Sequence, residues 1–348
     1  MKSNSLKATT GSALFCALFA VCLTIGSCGE DKSTEPKSAY EENTNPAIFT
    51  VSPIAIDKIT NLEPLGAMNP SGHTIPTDHV YFYTSWTYGE QPIYPAEVLP
   101  VYAPGSGVVT WILQGDGRDA DAKIMLRMNK WMLYYLDHVV LDSAIKVGSI
   151  VTAGQIIGES RGIAIDLGVV NEQAALTGFV NPLRYGWQTL YTDSPYKYFS
   201  EPLRSQLYAM IRRNAVDKDG KIDYDVPGTL IGNWFHESVE VAESMMPPAW
   251  PKHLAFCPDS NEPEEMRISI GGTVSTPGKF KPSPTDPAFT DVTLQSGRVV
   301  YHLNYTEFGY FGIMLVQLLD SLHLKVEVFP NSTDLNQQFT DNAKIYSR

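Results

Sequence analysis

Five side chains of the kinds that bind metal ions or move protons lie in three separate stretches of this sequence: His73, Asp78 and His79, then His138, then Asp166. Zinc accepts both imidazole and carboxylate ligands, so a His/carboxylate metal site is one chemistry the set could support. The other is plain hydrogen bonding, with His79 and His138 holding structural partners and Asp78 capping a turn. Asp166 sits in Ile163-Ala164-Ile165-Asp166-Leu167. Residues two apart on a strand face the same way, so Ala164 and Asp166 share one face and the three aliphatic residues the other. The four cysteines offer less. Cys16 and Cys22 lie in an apolar run near the start, and Cys28 closes that run. Cys257 ends Leu254-Ala255-Phe256-Cys257, where the expected role is a buried small hydrophobe.

The elements that must position these groups read as strands. From about residue 46 the chain alternates short apolar runs with Gly, Pro and Asp clusters, an all-β signature. Expected strands are Val80–Tyr83, Gly107–Leu113, Lys123–Met128, Trp131–Val140, Gln155–Gly158 and Ile163–Val170, with Asn129-Lys130 as a two-residue hairpin turn. Leu203, Leu207 and Ile211 after Ser200-Glu201-Pro202 predict a short connector helix ending near Arg213-Asn214. About seven further strands follow: Thr229–His236, Leu254–Cys257, Met266–Ile270, Arg298–Asn304, Tyr310–Leu318, His323–Phe329 and Ala343–Tyr346. These predict a second antiparallel barrel or sandwich. Gly232-Asn233-Trp234 is similar to the Gly-x-Trp of lipocalins over three residues. Asp217 to Asp223 matches the middle of a calcium loop, but Ala215 and Val226 occupy two ligand positions, so a surface turn at Asp219-Gly220 is expected.

Length and composition agree with two β-rich domains. The 348 residues are 43% apolar and 18% charged, which excludes a disordered chain, a coiled coil and a collagen-like fibre. A net charge of -12 repels a phosphate backbone, so no nucleic-acid partner is expected.

The first residues read as an export signal. Lys2 and Lys7 precede an apolar run from Ala13 to Ile25. Thirteen helical residues reach about 20 Å, short of a ~30 Å hydrocarbon core, so a signal peptide is preferred to a spanning helix. Ile25-Gly26-Ser27-Cys28 resembles the lipobox of bacterial lipoproteins, with Ile25 in the usual leucine place. The resemblance implies acylation of Cys28 and removal of residues 1–27. That takes away two lysines and no acids, and moves the net charge from -12 to -14. The polar stretch 28–45 reads as a flexible tether. Gly29-Glu30-Asp31 lacks an aspartate directly after the cysteine, which points to the outer membrane, on its periplasmic side or at the cell surface. With Cys28 lipidated and Cys257 alone, no disulfide can form within the mature chain.

Two stretches carry a second resemblance. Val101-Tyr102-Ala103-Pro104-Gly105-Ser106-Gly107-Val108-Val109 resembles the strand entry "V-x-A-P-x-x-G-x-V" of lysostaphin/LytM-type zinc endopeptidases. Ile145 to Gly158 resembles their "V-x-x-G-x-x-V-x-x-G-Q-x-I-G" hairpin, with Gly148 and Gly154 as turn residues. The resemblance implies a small LytM-like antiparallel β domain over residues 46–195, followed by a β domain of unreadable function over 196–348. It also implies a zinc held by a His and an Asp of an early motif and by the second His of a late "H-x-H" strand. Ala164 and Asp166 stand where the two late histidines belong, and His138 stands at the assisting His of "Y-x-H", with Leu136 for its tyrosine. The early "H-x-x-x-D" fits in neither register: His73 to Asp78 is one residue too long, and from His79 the aspartate place holds Tyr83.

These readings favour an exported envelope lipoprotein with a degenerate peptidase-like domain. It would bind or scaffold, with the membrane, peptidoglycan, glycan or an envelope protein as partner. No cofactor is expected, and zinc remains the one candidate, on Asp166 with His138 and one of His73, Asp78 or His79. An active zinc peptidoglycan endopeptidase, with His138 catalytic, is the alternative. A small-ligand binder using the C-terminal barrel is a third.

Overall fold

Val80, Phe82, Ile165 and Leu167 have no exposed surface on one side of two neighbouring strands, while Tyr81, Ala164 and Asp166 lie on the other. That alternation is what a sheet buried on a core must have, and it runs through both parts of the chain. The structure is a computed structural model and describes residues 39–87, 90–115, 121–305 and 309–348. Cys28, the segment 1–27 and most of the tether lie outside the described residues.

Among the described residues ten strands form the first sheet. They are β1 (Asn61–Glu63), β2 (Val80–Tyr83), β3 (Leu99–Tyr102), β4 (Gly107–Gln114), β5 (Ala122–Arg127), β6 (Met132–Leu141), β7 (Ile150–Val151), β8 (Ile156–Ser160), β9 (Ala164–Asn171) and β10 (Thr192–Asp193). The order is β1-β2-β9-β6-β5-β4-β7, with β8 joining β3 to β6 and β10 added to β9. Each of these pairings is antiparallel. Gly148 and Gly154 take φ of +89° and +83°, the left-handed turn conformation expected of them. Ile163 falls just outside β9 and packs with Ala164 and Tyr81 instead of opposite them.

Eight strands close the barrel: β11 (Gly232–His236), β12 (His253–Pro258), β13 (Met266–Ile270), β14 (Gly278–Lys281), β15 (Val299–Tyr305), β16 (Gly309–Leu318), β17 (His323–Pro330) and β18 (Lys344–Ser347). The fold is therefore mainly β, a sheet followed by a barrel. Seven of these strands were expected; β14 was not. It lies between Pro277 and Pro282, and Phe280 is its one inward apolar residue. The connector helix spans Leu203–Met210 and stops short of the expected end. Ile211 leaves the helix to bridge Leu62 of β1, where it is buried.

The barrel interior is filled with side chains, among them Trp234, Phe256, Phe280 and Tyr301. On β11 and β12 the alternate residues Phe235, Ala255 and Cys257 face outward and join the core under the sheet. Strands apolar on both faces hold barrel and sheet together, and the described residues pack as one unit. Residues expected as tether also take part: the carbonyl of Asn43 accepts from Lys130 N, and that of Asn45 from Asn129 Nδ2, at 2.9 Å each. No helix among the described residues is long and apolar enough to cross a membrane.

Candidate functional site

The central position belongs to Asp166, because β9 lies between β2 and β6 with Tyr81 and Asp137 directly opposite it in the two registers. Opposed residues share a face, so Tyr81, Asp166 and Asp137 form a row on the side away from the core. Tyr83 pairs with Ala164 in the next row of that face. His79 precedes β2 by one residue and continues the 79, 81, 83 alternation. Its Nε2 lies 3.3 Å from Asp166 Oδ2 and 3.1 Å from the Tyr81 hydroxyl.

His138 reaches the same oxygen by a different device. Between Leu136 and Val139, β6 places two residues where β5 offers only Lys123. This bulge turns the strand locally, and His138 takes a left-handed φ of 64°. A non-glycine residue there costs roughly 1–2 kcal/mol. The turn brings His138 Nε2 to 3.5 Å from Asp166 Oδ2, while its Nδ1 lies 2.9 Å from Asp121 Oδ2.

Asp78 does not cap a turn. Its Oδ1 accepts from Tyr135 Oη at 3.0 Å and faces His79 Nδ1 at 3.1 Å. Its Oδ2 accepts from Thr189 Oγ1 at 2.8 Å and Gln188 Nε2 at 3.1 Å. Both donors come from the short helix Trp187–Leu190. Tyr135 can lie over β9 only because residue 168 is glycine, where a Cβ would come within 2.1 Å of the Tyr135 ring. The result is a continuous chain, Asp78–His79–Asp166–His138–Asp121. His73 is not in it. Its ring stands 5.2 Å from that of His79 and 6.2 Å from that of Trp250, which the segment before β12 contributes.

Charge follows from this geometry. Burial opposes a protonated His79, but Asp166 and Asp78 outweigh it and hold its pKa above the ordinary 6.5. His138, half-exposed, is raised as well: burial works against the charge, and Asp166 and Asp121 for it. Burial pushes the Asp166 carboxyl up, more than the two imidazoles pull it down. Burial would also raise Asp78, but its bonded partner His79, with Lys123 and Thr189, holds it well below the carboxylate range. His73, desolvated and beside His79, is pushed down to about 4. Asp166 Oδ1 is enclosed and has no hydrogen-bond partner among the described residues.

The side chains of this donor set are already engaged with one another. Asp78 already faces four donors, and Tyr83, which stands at the aspartate place in only one of the two registers of the resemblance, is a phenol pushed further from ionisation by burial and by Glu63. Ala164 contributes no donor. Among the described residues no three His, Cys, Asp or Glu side chains form a group that could hold a metal ion. The geometry thus brings together His79, Asp166 and His138, backs His79 with Asp78, and leaves His73 to one side. Sequence reasoning missed Tyr81, Tyr135, Asp121, Gln188 and Thr189. Only Tyr81 had a signal, the two-residue alternation from His79.

No family model matches the sequence, and no curated protein matches it. Several solved structures resemble parts of the chain. Helicobacter pylori Csd3 shares 14% identity over 46% of this chain and 35% of its own, with a TM-score of 0.28. A zinc-containing peptidase from Vibrio cholerae shares 18% over 38% of this chain and 39% of its own, also at 0.28. The catalytic domain of lysostaphin from Staphylococcus simulans shares 20% over 34% of this chain and 84% of its own, at 0.24. This chain thus spans well under half the length of the first two. Likeness at these scores carries no argument about site or activity.

Proposed function

We propose that this chain is an exported envelope lipoprotein whose sheet is a LytM-like peptidase fold used for binding or scaffolding, without peptide hydrolysis. The observation that supports this best is the pair Ala164 and Asp166 on β9. Alanine stands where the resemblance requires a proton-handling histidine. Asp166 Oδ2 faces His79 and His138 at 3.3 and 3.5 Å, so two imidazoles occupy the carboxylate that stands in for a ligand. Loss of one general acid or base typically costs about 10²–10⁴-fold in rate. Acylation at Cys28 would anchor the protein to the outer membrane, where peptidoglycan, a glycan or an envelope protein is the partner.

The convergence of His79, Asp166 and His138 is the one observation that favours the alternative, an active zinc endopeptidase. A small-ligand role for the barrel has its filled interior against it. Incubation of the soluble form with purified sacculi and zinc decides between the first two. The expected outcome is no released muropeptide, and less than stoichiometric zinc after dialysis against limiting metal. Release that disappears in Asp166→Ala or His138→Ala would establish the peptidase instead. Zinc retained by Asp166→Ala would place a metal elsewhere in the chain.

A further inference from the structure

β4 lies at the end of the first sheet, and much of its outer edge has no neighbouring strand. β7, two residues long, covers only Gly107 and Val108. The turn before β7 covers Val109, whose N–H donates to Ser149 O at 2.9 Å and whose carbonyl accepts from Gly148 N at 2.8 Å. Past a bulge between Val109 and Trp111, the strand pairs with β5 alone. Gly115 N donates to Asp121 O at 2.7 Å, so the backbone of Gly115 turns toward β5. Backbone groups alternate sides along a strand, so Trp111 and Leu113 turn that way too. Ile112 and Gln114 turn outward, with no backbone partner among the described residues.

The side chains beside this edge are apolar. Trp111 and Leu113 are 42% and 54% exposed on the outer face, while Ile112 between them packs against the core. No ionisable residue and no proline occurs from Gly107 to Gly115. Charge and proline are common guards of a strand edge, so this one is guarded by its bulge alone. Three features select a second copy of the chain as the occupant. At a net charge of -12 two copies repel one another, and β4 is a stretch that adds nothing to that repulsion. The free stretch is short, bounded by the Gly148–Ser149 turn and by the hairpin end at Gly115. A long strand would run into that turn, whereas β4 of a second copy is bounded in the same way. Antiparallel pairing about Leu113 is also self-complementary. Ile112 meets the other copy's Gln114, Leu113 meets its own counterpart, and Trp111 lies over the bare Cα of the other copy's Gly115.

We propose that two copies of this chain pair edge to edge through residues 111–115 of β4, antiparallel and about a two-fold axis at Leu113. Ile112 and Gln114 exchange about four hydrogen bonds with their counterparts, and the two Leu113 Cα atoms lie ~4.5 Å apart, as in a non-hydrogen-bonded pair. So short an edge makes a weak contact, below the size of standard interfaces. Trp111 stands in one row with Met125, Tyr135 and Gly168, on the face that carries Asp166. Opposed residues share a face, so pairing sets both His79–Asp166–His138 clusters on the same side of one continuous sheet. The contact is independent of the chemistry on β9, and its success or failure says nothing about hydrolysis.

The described residues pack as one unit, so the test uses the form that begins after Cys28. Sedimentation at protein concentrations up to about 1 mM should show monomer passing to dimer, with amide exchange at Ile112 and Gln114 slowing over the same range. Leu113→Lys sets two like charges opposite each other and should weaken the dimer about tenfold or more. Leu113→Cys should give a disulfide-linked dimer on mild oxidation, because a Cα separation of ~4.5 Å suits that bond. Leu335→Cys, at a surface position 47% exposed beyond β17, should not, and Cys257 is buried and does not compete. A protein monomeric throughout would overturn the proposal and leave the edge to an unrelated strand. A dimer that Leu113→Lys leaves unchanged, or equal cross-linking of the two cysteine variants, would overturn it as well. Leu113 is half exposed, so both of its variants keep the fold.

Discussion

Replacing Asp166 by asparagine should reduce the pH dependence of stability above pH 6.5. The amide keeps the shape of the side chain and deletes its charge. At 3.3 Å and an effective dielectric of ~20, the attraction between His79 and Asp166 is about 5 kcal/mol. Desolvating two buried charges takes back several kcal/mol, which leaves a net contribution of about 1–3 kcal/mol. Its sign follows from His79, whose folded pKa lies above its ordinary value. Such a group stabilises fully below its unfolded pKa of about 6.5 and loses that contribution as pH rises through the folded pKa. Asp78, held low, works the other way. Its contribution is lost only in acid, below the ordinary carboxylate range, and stays constant across this window. His138 adds to the slope, but its half-exposed ring is screened by solvent. Urea unfolding of the soluble protein at half-unit steps from pH 6.5 to 9 should show the wild type losing about 1–3 kcal/mol, with a slope near that of one proton, about 1.4 kcal/mol per unit. Asp166→Asn should begin lower at pH 6.5 and fall with a clearly shallower slope, Asp78 and Asp121 still acting on the two imidazoles. Parallel curves for the two proteins would refute the reasoning, because they would mean that His79 is not held protonated by Asp166.

Two other predictions concern the packing behind the site and the N-terminus. Gly168→Ala sets a methyl 2.1 Å from the Tyr135 ring, so Tyr135 must leave Asp78; a loss of about 1–3 kcal/mol in urea unfolding is expected, and unchanged stability would mean the ring moves freely. Cys28→Ala should abolish palmitate labelling of the full-length protein, and equal labelling of both forms would reject Cys28 as the attachment point.

Most strands were legible because their two-residue period is a property of neighbours in the chain. The faces of β9 could be assigned from Ala164, Ile165, Asp166 and Leu167 alone, and those of β2 from Val80 to Tyr83. β14 was hidden for the same reason in reverse, since a strand with one inward residue between two prolines shows no period. The site was legible only in its members. A bulge that turns His138 toward Asp166 requires knowing that β6 has one residue more than β5 beside it, and no local pattern announces that. The donors to Asp78 come from Gln188 and Thr189, over a hundred residues away, and depend on a bare Cα at Gly168. These distant contacts also change what the aspartate at 166 means. Read in sequence, it is a ligand exchanged for another that zinc accepts. Set between His79 and His138, with Asp78 and Asp121 behind them, it is one of three carboxylates alternating with two imidazoles. Such a chain favours positive charge where water is largely excluded, and its carboxylates raise the pKa of both His79 and His138. A metal entering there would compete with protons for those imidazoles, whose proton affinity the flanking carboxylates raise above that of ordinary histidines. On the reading proposed above, the aspartate at position 166 both offers an oxygen that zinc accepts and raises the proton affinity of the two imidazoles that would share the metal.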